Sequence, residues 1–322
     1  ILDDEKRLCE IVAEMKSRSQ AKLNSAAHSA AVARATSYFS ATSAFNDITG
    51  GIAYYQFLED LARNFEDRKT VLMQKLKETA GRLFTADNMT VSYTADDEGF
   101  RYLAPAMKLL KEKLPETGGP SYPFIWEKGN RNEGFMTSSQ VNYVARCGSF
   151  AESGYAYTGA LRVLKPILGY DYLWLNVRVK GGAYGVMNSA GRSGEGYFVS
   201  YRDPNLKETD QVFEGVADYL EQFDADERDM TKYVIGTISD MDTPLLPPYK
   251  GAKAVSAWYS GITDEMLAEE RRQVLAAQPE DIRALAKIIR AILSTGSFCV
   301  VGNSEKIKEN KELFGSIKNL FN

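Results

Sequence analysis

Apolar positions along the chain follow a helical period for the first 85 residues. Leu8, Ile11, Val12 and Met15 recur at the spacing of one helix face. Residues 21–45 are rich in Ala and Ser, a composition that suits closely packed helices with small contact residues. Gly50-Gly51 breaks the run and Ile52 to Phe65 resumes it. Val71, Leu72, Leu76, Ala80 and Leu83 then form a further stripe. The period changes at Met89-Thr-Val-Ser-Tyr-Thr94, whose alternation predicts a half-buried strand. Helix returns over 99–114, with Leu109 and Leu110 among lysines.

Pro115 to Gly134 carries Pro115, Gly118-Gly119-Pro120, Pro123 and Gly129 with little periodicity, the signature of a junction. Beyond it, Gln140 to Cys147 predicts a strand with Val141, Tyr143 and Ala145 on one face, and Tyr155 to Leu168 a helix. Gly185 to Asn188 and Gly196 to Tyr201 predict a paired hairpin, linked by the Gly- and Ser-rich Ser189 to Gly194. Helices are expected at 208–223, 226–240, 249–260, 263–276 and 279–293, then a strand at 297–302. An amphipathic tail with Ile307, Leu313 and Phe314 closes the chain. Strands separated by clusters of helices indicate an α+β layered fold.

At 322 residues, two domains are the natural expectation. Hydrophobic content of 44%, with 25% charged residues, is that of an ordinary globular chain. A net charge of −4 argues against a nucleic-acid partner. No apolar run approaches the roughly 20 residues that span a bilayer, so no membrane role is expected. Cys9, Cys147 and Cys299 are odd in number and far apart, which fits buried thiols in a reducing compartment and excludes a CxxC metal knuckle. The chain opens inside a helical pattern with no Met, cap or leader, as expected of a fragment of a longer polypeptide.

Arg178-Val-Lys-Gly-Gly-Ala-Tyr-Gly-Val-Met187 places a cation, a glycine pair and a phenol close together. Gly181-Gly182 lets backbone approach another chain, because neither residue carries a Cβ. Arg178 and Tyr184 are hydrogen-bond donors suited to a peptide carbonyl. On local chemistry alone, a tight turn carrying an Arg and a Tyr explains the segment equally well.

Other chemistries find little support. No Gly-x-Ser-x-Gly elbow and no P-loop motif is present, and the one histidine, His28, makes a Ser or Cys triad improbable. His28 reads as a helix-packing residue. The acidic stretches Asp3-Asp4-Glu5, Asp96-Asp97-Glu98 and Asp224 to Asp229 lack EF-hand spacing and read as solvated surface. Arg202-Asp203-Pro204-Asn205 reads as a strand-end turn and helix start. Tyr155, Tyr157, Tyr170, Tyr172 and Trp174 are expected mostly in the core, a minority lining a substrate chamber.

Val177-Arg-Val-Lys-Gly-Gly-Ala-Tyr-Gly185 followed by Ser200-Tyr-Arg-Asp-Pro-Asn205 resembles the C-terminal half of presequence-protease-type members of the insulinase (pitrilysin) superfamily. Val234-Ile-Gly-Thr-Ile-Ser-Asp-Met-Asp242, Pro248-Tyr-Lys-Gly251 and Ala35 to Leu61, with Gly50-Gly-Ile-Ala-Tyr-Tyr-Gln-Phe-Leu58, agree with it. The resemblance implies two-layer α/β sandwich domains with mostly antiparallel sheets flanked by helices, four to an enzyme, in two halves that close like a clamshell. It implies a division into residues 1–114, the latter part of the third domain; a linker, 115–136; and 137–322, a metal-free fourth domain.

In that family the N-terminal half holds zinc through His-x-x-Glu-His and a distant Glu, and the C-terminal half supplies an Arg and a Tyr near the metal. Those correspond to Arg178 and Tyr184, with Gly181, Gly182 and Ala183 against the substrate. With one histidine this chain has no such motif, so it is expected to hold no metal and to be inactive alone. The implied partners are a zinc-bearing N-terminal half, on the same polypeptide or a partner chain, and an unstructured peptide. The implied compartment is bacterial cytosol, with an organelle matrix as the alternative. The rival reading is a non-catalytic insulinase-type subunit or peptide-binding scaffold.

Overall fold

The apolar stripes of the first half form helices α1 (Glu5–Ser25), α2 (Ala27–Thr36), α3 (Ala41–Gly50), α4 (Ile52–Arg63) and α5 (Phe65–Leu83), followed by α6 (Asp97–Lys113). This computed structural model describes residues 2–116, 119–120, 122–129 and 131–321; parts of the 115–136 stretch lie outside them. The second half comprises β1 (Glu133–Thr137), β2 (Tyr143–Ser149), α7 (Ala160–Tyr170), a π-helix (Trp174–Lys180), β3 (Gly185–Ala190) and β4 (Glu195–Tyr201). Then come α8 (Lys207–Glu214), α9 (Val216–Glu221), α10 (Glu227–Met241), α11 (Pro247–Tyr259), α12 (Asp264–Leu275), α13 (Pro279–Ala284) and α14 (Ala286–Ser294). Strand β5 (Ser297–Asn303), α15 (Ser304–Glu309) and β6 (Ser316–Asn319) end the chain.

Contacts divide the chain into two units, neither contiguous in sequence. One gathers Ile1–Lys16, Leu58–Pro123 and Thr243–Leu267; the other gathers Ser17–Phe57, Phe124–Asp242 and Ala268–Asn322. The first unit is helical among its described residues. Leu8 and Val12 bury against Leu61 and Phe65, so the expected first stripe does face a core, although Met15 is exposed. Met89–Thr94 is extended but joins no ladder, and Val91 is 47% exposed. The alternation that predicts a strand is present there, but every described strand belongs to the other unit. Without a neighbouring strand, alternation alone makes no sheet.

The second unit holds a six-stranded sheet in the order β3-β4-β2-β5-β1-β6. Pairs β2–β4, β2–β5 and β3–β4 are antiparallel, while β1 runs parallel to β5 and β6. This is the α+β fold with a mainly antiparallel sheet flanked by helices. Side chains alternate between faces. On one face Val144, Phe198 and Val300 meet apolar residues of α7, α9 and α14. On the other Tyr143, Ala145, Cys147, Val199 and Cys299 meet Ala27, Ala31 and Ala35 of α2.

Burial on both faces explains why β5 reads as an unbroken apolar run. Each large side chain buried here, Phe198 or Phe298 for example, contributes about 1.5–3 kcal/mol. Gly148 lets α14 approach β2: a Cβ there would lie 1.8 Å from the Ile292 carbonyl oxygen.

Two strands depart from the expectation. β1 begins at Glu133, inside the stretch that reads as linker, and β6 lies in the tail that reads as amphipathic. Glu133 is polar in sequence yet 1% exposed, because it belongs to a buried ion cluster. Arg34 Nε donates to Glu133 Oε2 at 2.6 Å and Arg34 Nη1 to Asp47 Oδ2 at 2.5 Å. Lys318 Nζ and the Tyr38 hydroxyl also donate to Glu133, at 2.8 and 3.1 Å. Burial pushes the Glu133 carboxyl up, but Arg34 and Lys318 outweigh it and hold it down to about 2. Asp47 Oδ1 in turn accepts the Ile52 N–H at 2.9 Å and so caps α4.

All three thiols are free. Cys147 and Cys299 are buried as expected; Cys9 is exposed, on the polar side of α1. No helix among the described residues is long and apolar enough to cross a membrane.

Candidate functional site

The β3–β4 hairpin and the π-helix before it build the site. Gly191 to Gly194 forms the hairpin turn, with Gly194 N–H donating to the Gly191 carbonyl at 3.0 Å. Gly194 takes φ +83°, the left-handed conformation such a turn demands. The tip is anchored by Arg192, which pairs with the carboxylate of Glu270, itself 2% exposed. Arg162 pairs with the same carboxylate, and the Tyr157 hydroxyl donates to it at 2.7 Å. β3 is thereby held at one edge of the sheet, joined on one flank to β4.

Trp174–Lys180 is a π-helix, a rare form that recurs at functional sites. It sets Arg178 over Trp174, with the guanidinium carbon 4.0 Å from the indole ring centre. The same guanidinium lies 5.6 Å from the ring centre of Tyr184, so one cation bridges two aromatic faces. The chain leaves the π-helix through Gly181 and Gly182. Gly182 takes φ +81°, which an L side chain adopts only with strain.

The N–H groups of this exit are spent within the chain. Gly182 donates to the Arg178 carbonyl at 2.9 Å and Ala183 to the Val177 carbonyl at 3.1 Å. The Gly181 carbonyl accepts from Asn205 Nδ2 at 2.6 Å. Ala183 is buried, 3% exposed. Gly181, Gly182 and Ala183, expected from sequence to lie against a substrate, thus form the cap of the π-helix.

Tyr184 stands where the chain enters β3, its N–H donating to the Arg202 carbonyl at 3.3 Å. Its side chain is 65% exposed. Among the described residues neither the Arg178 guanidinium nor the Tyr184 hydroxyl has a hydrogen-bond acceptor, so both are free to donate outward.

The Ser200 to Asn205 sequence locks the neighbouring strand end. Asn142 and Asp203 exchange backbone hydrogen bonds at 2.7 and 2.9 Å. The buried Asp203 carboxylate accepts from Asn205 N–H at 2.9 Å and Thr209 Oγ1 at 2.7 Å. Burial raises its pKa, against those two bonds. Arg202 is exposed and held at φ +51°. Sequence reasoning places this stretch at a strand end, and it is one.

Rings continue from Tyr184 into the sheet. Tyr184 and Tyr201 lie 5.9 Å apart, and Tyr201 meets His28 edge-on at 5.0 Å and Tyr143 at 5.5 Å. His28, on α2, packs as a helix residue does; its Nδ1 is buried without a partner, and burial lowers its pKa. No three His, Cys, Asp or Glu side chains gather to hold a metal ion among the described residues. With tyrosine rings beside the single imidazole, the residues present do not fit a zinc site. Of the aromatics expected mostly in the core, Tyr155, Tyr157 and Tyr172 pack against it, while Tyr170 and Trp174 are exposed. Sequence reasoning missed Trp174 as the support for Arg178; the i, i+4 spacing of the two was the available signal.

Two family models match this chain. One, described as the PreP C-terminal domain, covers residues 132–304, which hold the π-helix, the hairpin and β5. The chain belongs to this family. The other, described as a peptidase-associated segment, covers residues 1–61.

Among curated relatives, Protein HypA of Clostridium perfringens is 40% identical over 319 residues, covering 99% of this chain and 33% of that protein. The chloroplastic/mitochondrial presequence protease 1 of Arabidopsis thaliana is 30% identical over 308 residues, covering 94% of this chain and 28% of that one. The mitochondrial presequence protease of Yarrowia lipolytica is 29% identical over 273 residues, 81% of this chain and 26% of that one. The chain therefore spans about a third of the length of the relatives it matches. The motif-based resemblance to the C-terminal half of presequence-protease-type peptidases is correct.

Proposed function

We propose that this chain is the substrate-facing, metal-free part of a zinc peptidase that degrades unstructured peptides, and that Arg178 and Tyr184 contact the peptide beside a zinc site carried by another polypeptide segment. The supporting observation is that an exposed phenol and a guanidinium stand together at the start of an edge strand, with no acceptor of their own. Trp174 and the Gly181–Ala183 cap hold both donors in place before a substrate arrives, so little ordering is needed when it does. Donors so placed stabilise negative charge as it builds on a peptide carbonyl oxygen.

In this reading the chain alone does not hydrolyse peptides, and the site is complete only when the two segments meet. Tyr184→Phe, made in the zinc-bearing protein, tests it. Turnover is expected to fall by about 10²–10³ with the fold intact. Unchanged peptide cleavage by that variant overturns the assignment.

A further inference from the structure

The two edges of the sheet are built differently. β6 is four residues long, and its Lys318 is tied to Glu133. A short strand bearing lysine is a usual way of protecting an edge against further pairing. β3 has six residues, Gly-Val-Met-Asn-Ser-Ala, with no charge and no proline. Apart from Asn188 its residues are half-buried, whereas the central β2 and β5 are almost wholly buried. Among the described residues its outer flank pairs with no strand.

The charge around the start of β3 is one-sided. Arg178, Lys180 and Arg202 surround it, and none of them meets a carboxylate among the described residues. Arg178 rests on Trp174 and Tyr184, Lys180 donates to Asn176 Oδ1 at 3.2 Å, and Arg202 lies over Tyr201. The cations elsewhere on this hairpin and its neighbours do find acids: Arg192 pairs with Glu270, and Arg146 with Glu214.

We propose that the free edge of β3 takes up an extended, acidic peptide segment as an additional strand, with a side-chain carboxylate of that segment seated among Arg178, Lys180 and Arg202. Main-chain hydrogen bonds along the edge supply sequence-tolerant affinity, and the cations set orientation and preference. Such binding suits an unfolded peptide, whose amides and carbonyls are unpaired. The inference rests on the proposed function only in taking a peptide as the molecule that meets this end of the sheet.

Fluorescence anisotropy with the 322-residue chain tests it, using a labelled, unstructured Glu-containing peptide. Two variants of the peptide accompany it: one with Gln for Glu, and one N-methylated at alternate residues. Each is expected to bind about tenfold more weakly than the parent, through loss of the ion pairs or of the strand hydrogen bonds. Met187→Pro in β3 should weaken the parent similarly; if that variant misfolds, the N-methylated peptide carries the same test with the chain unaltered. Equal binding of parent and N-methylated peptides overturns strand addition, equal binding of Glu and Gln peptides overturns the carboxylate seat, and no binding overturns both. Failure here with a Tyr184→Phe turnover defect removes this inference alone. N-methyl-sensitive binding with normal Tyr184→Phe turnover removes the catalytic reading instead.

Discussion

Arg34 of α2 and Glu133 of β1 lie 99 residues apart in sequence and 2.6 Å apart in space, both shielded from water. Their contact ties a helix to the sheet it covers. Removing one partner of such a pair leaves a charge uncompensated in a poorly solvated place, which costs more than the pair itself contributes. Arg34→Met strands both Glu133 and Asp47. It should destabilise the chain by about 3–5 kcal/mol in urea unfolding. A loss below about 1 kcal/mol would show the cluster to be no better than an exposed pair.

The same cluster makes stability depend on acid. Glu133 is held at about 2 in the fold against an ordinary 4.5, so the unfolded chain takes up that proton first as pH falls. The contribution is complete above 4.5 and drains away as pH falls towards 2, about 3 kcal/mol in all. Glu133→Gln should flatten the acid limb of a stability–pH curve while lowering the neutral plateau. An acid limb with the same slope in both proteins would place the titration elsewhere.

Thiol reactivity should divide the three cysteines. Burial pushes the Cys147 thiol up to about 12 and raises that of Cys299, and neither is accessible, whereas Cys9 is exposed. Ellman's reagent should titrate one thiol in the native chain and all three after denaturation. Two or three fast thiols in the native chain would mean that α2 does not stay closed over the sheet.

Gly182 carries the backbone from the π-helix into β3 at φ +81°. Gly182→Ala should destabilise by about 1–2 kcal/mol, and Gly182→Asn by less, since Asn tolerates the left-handed region better. Both can be read from the shift in urea midpoint. Equal, negligible effects would show that the exit relaxes into another conformation.

Much of this was legible in the residues. The Ala-rich stretch promised close helix contact, and Ala27, Ala31 and Ala35 bury against the sheet. Val300 and Val301 sit in an unbroken apolar run, as a strand covered on both faces must. The hairpin was marked by its glycines, and Arg178 and Tyr184 by their company.

Other features leave no local trace. The π-helix differs from an α-helix by one hydrogen-bond register, which apolar periodicity over seven residues does not resolve. Glu133 reads as surface until Arg34 is known to face it. Met89–Thr94 has the pattern of a strand, but pairing is a property of two segments.

The cover that α2 lays over the sheet bears on how this protein can be divided. The two family matches, 1–61 and 132–304, look on paper like modules to be expressed apart. Arg34, Tyr38 and Asp47 fall in the first, and the carboxylate they surround, Glu133, falls in the second. A fragment cut to begin at residue 132 would bring Ala145, Val199 and Val301 into water with an unneutralised acid among them. Such a fragment should be sticky and poorly soluble, and an attempt to map peptide binding on it would report the wound left by the cut.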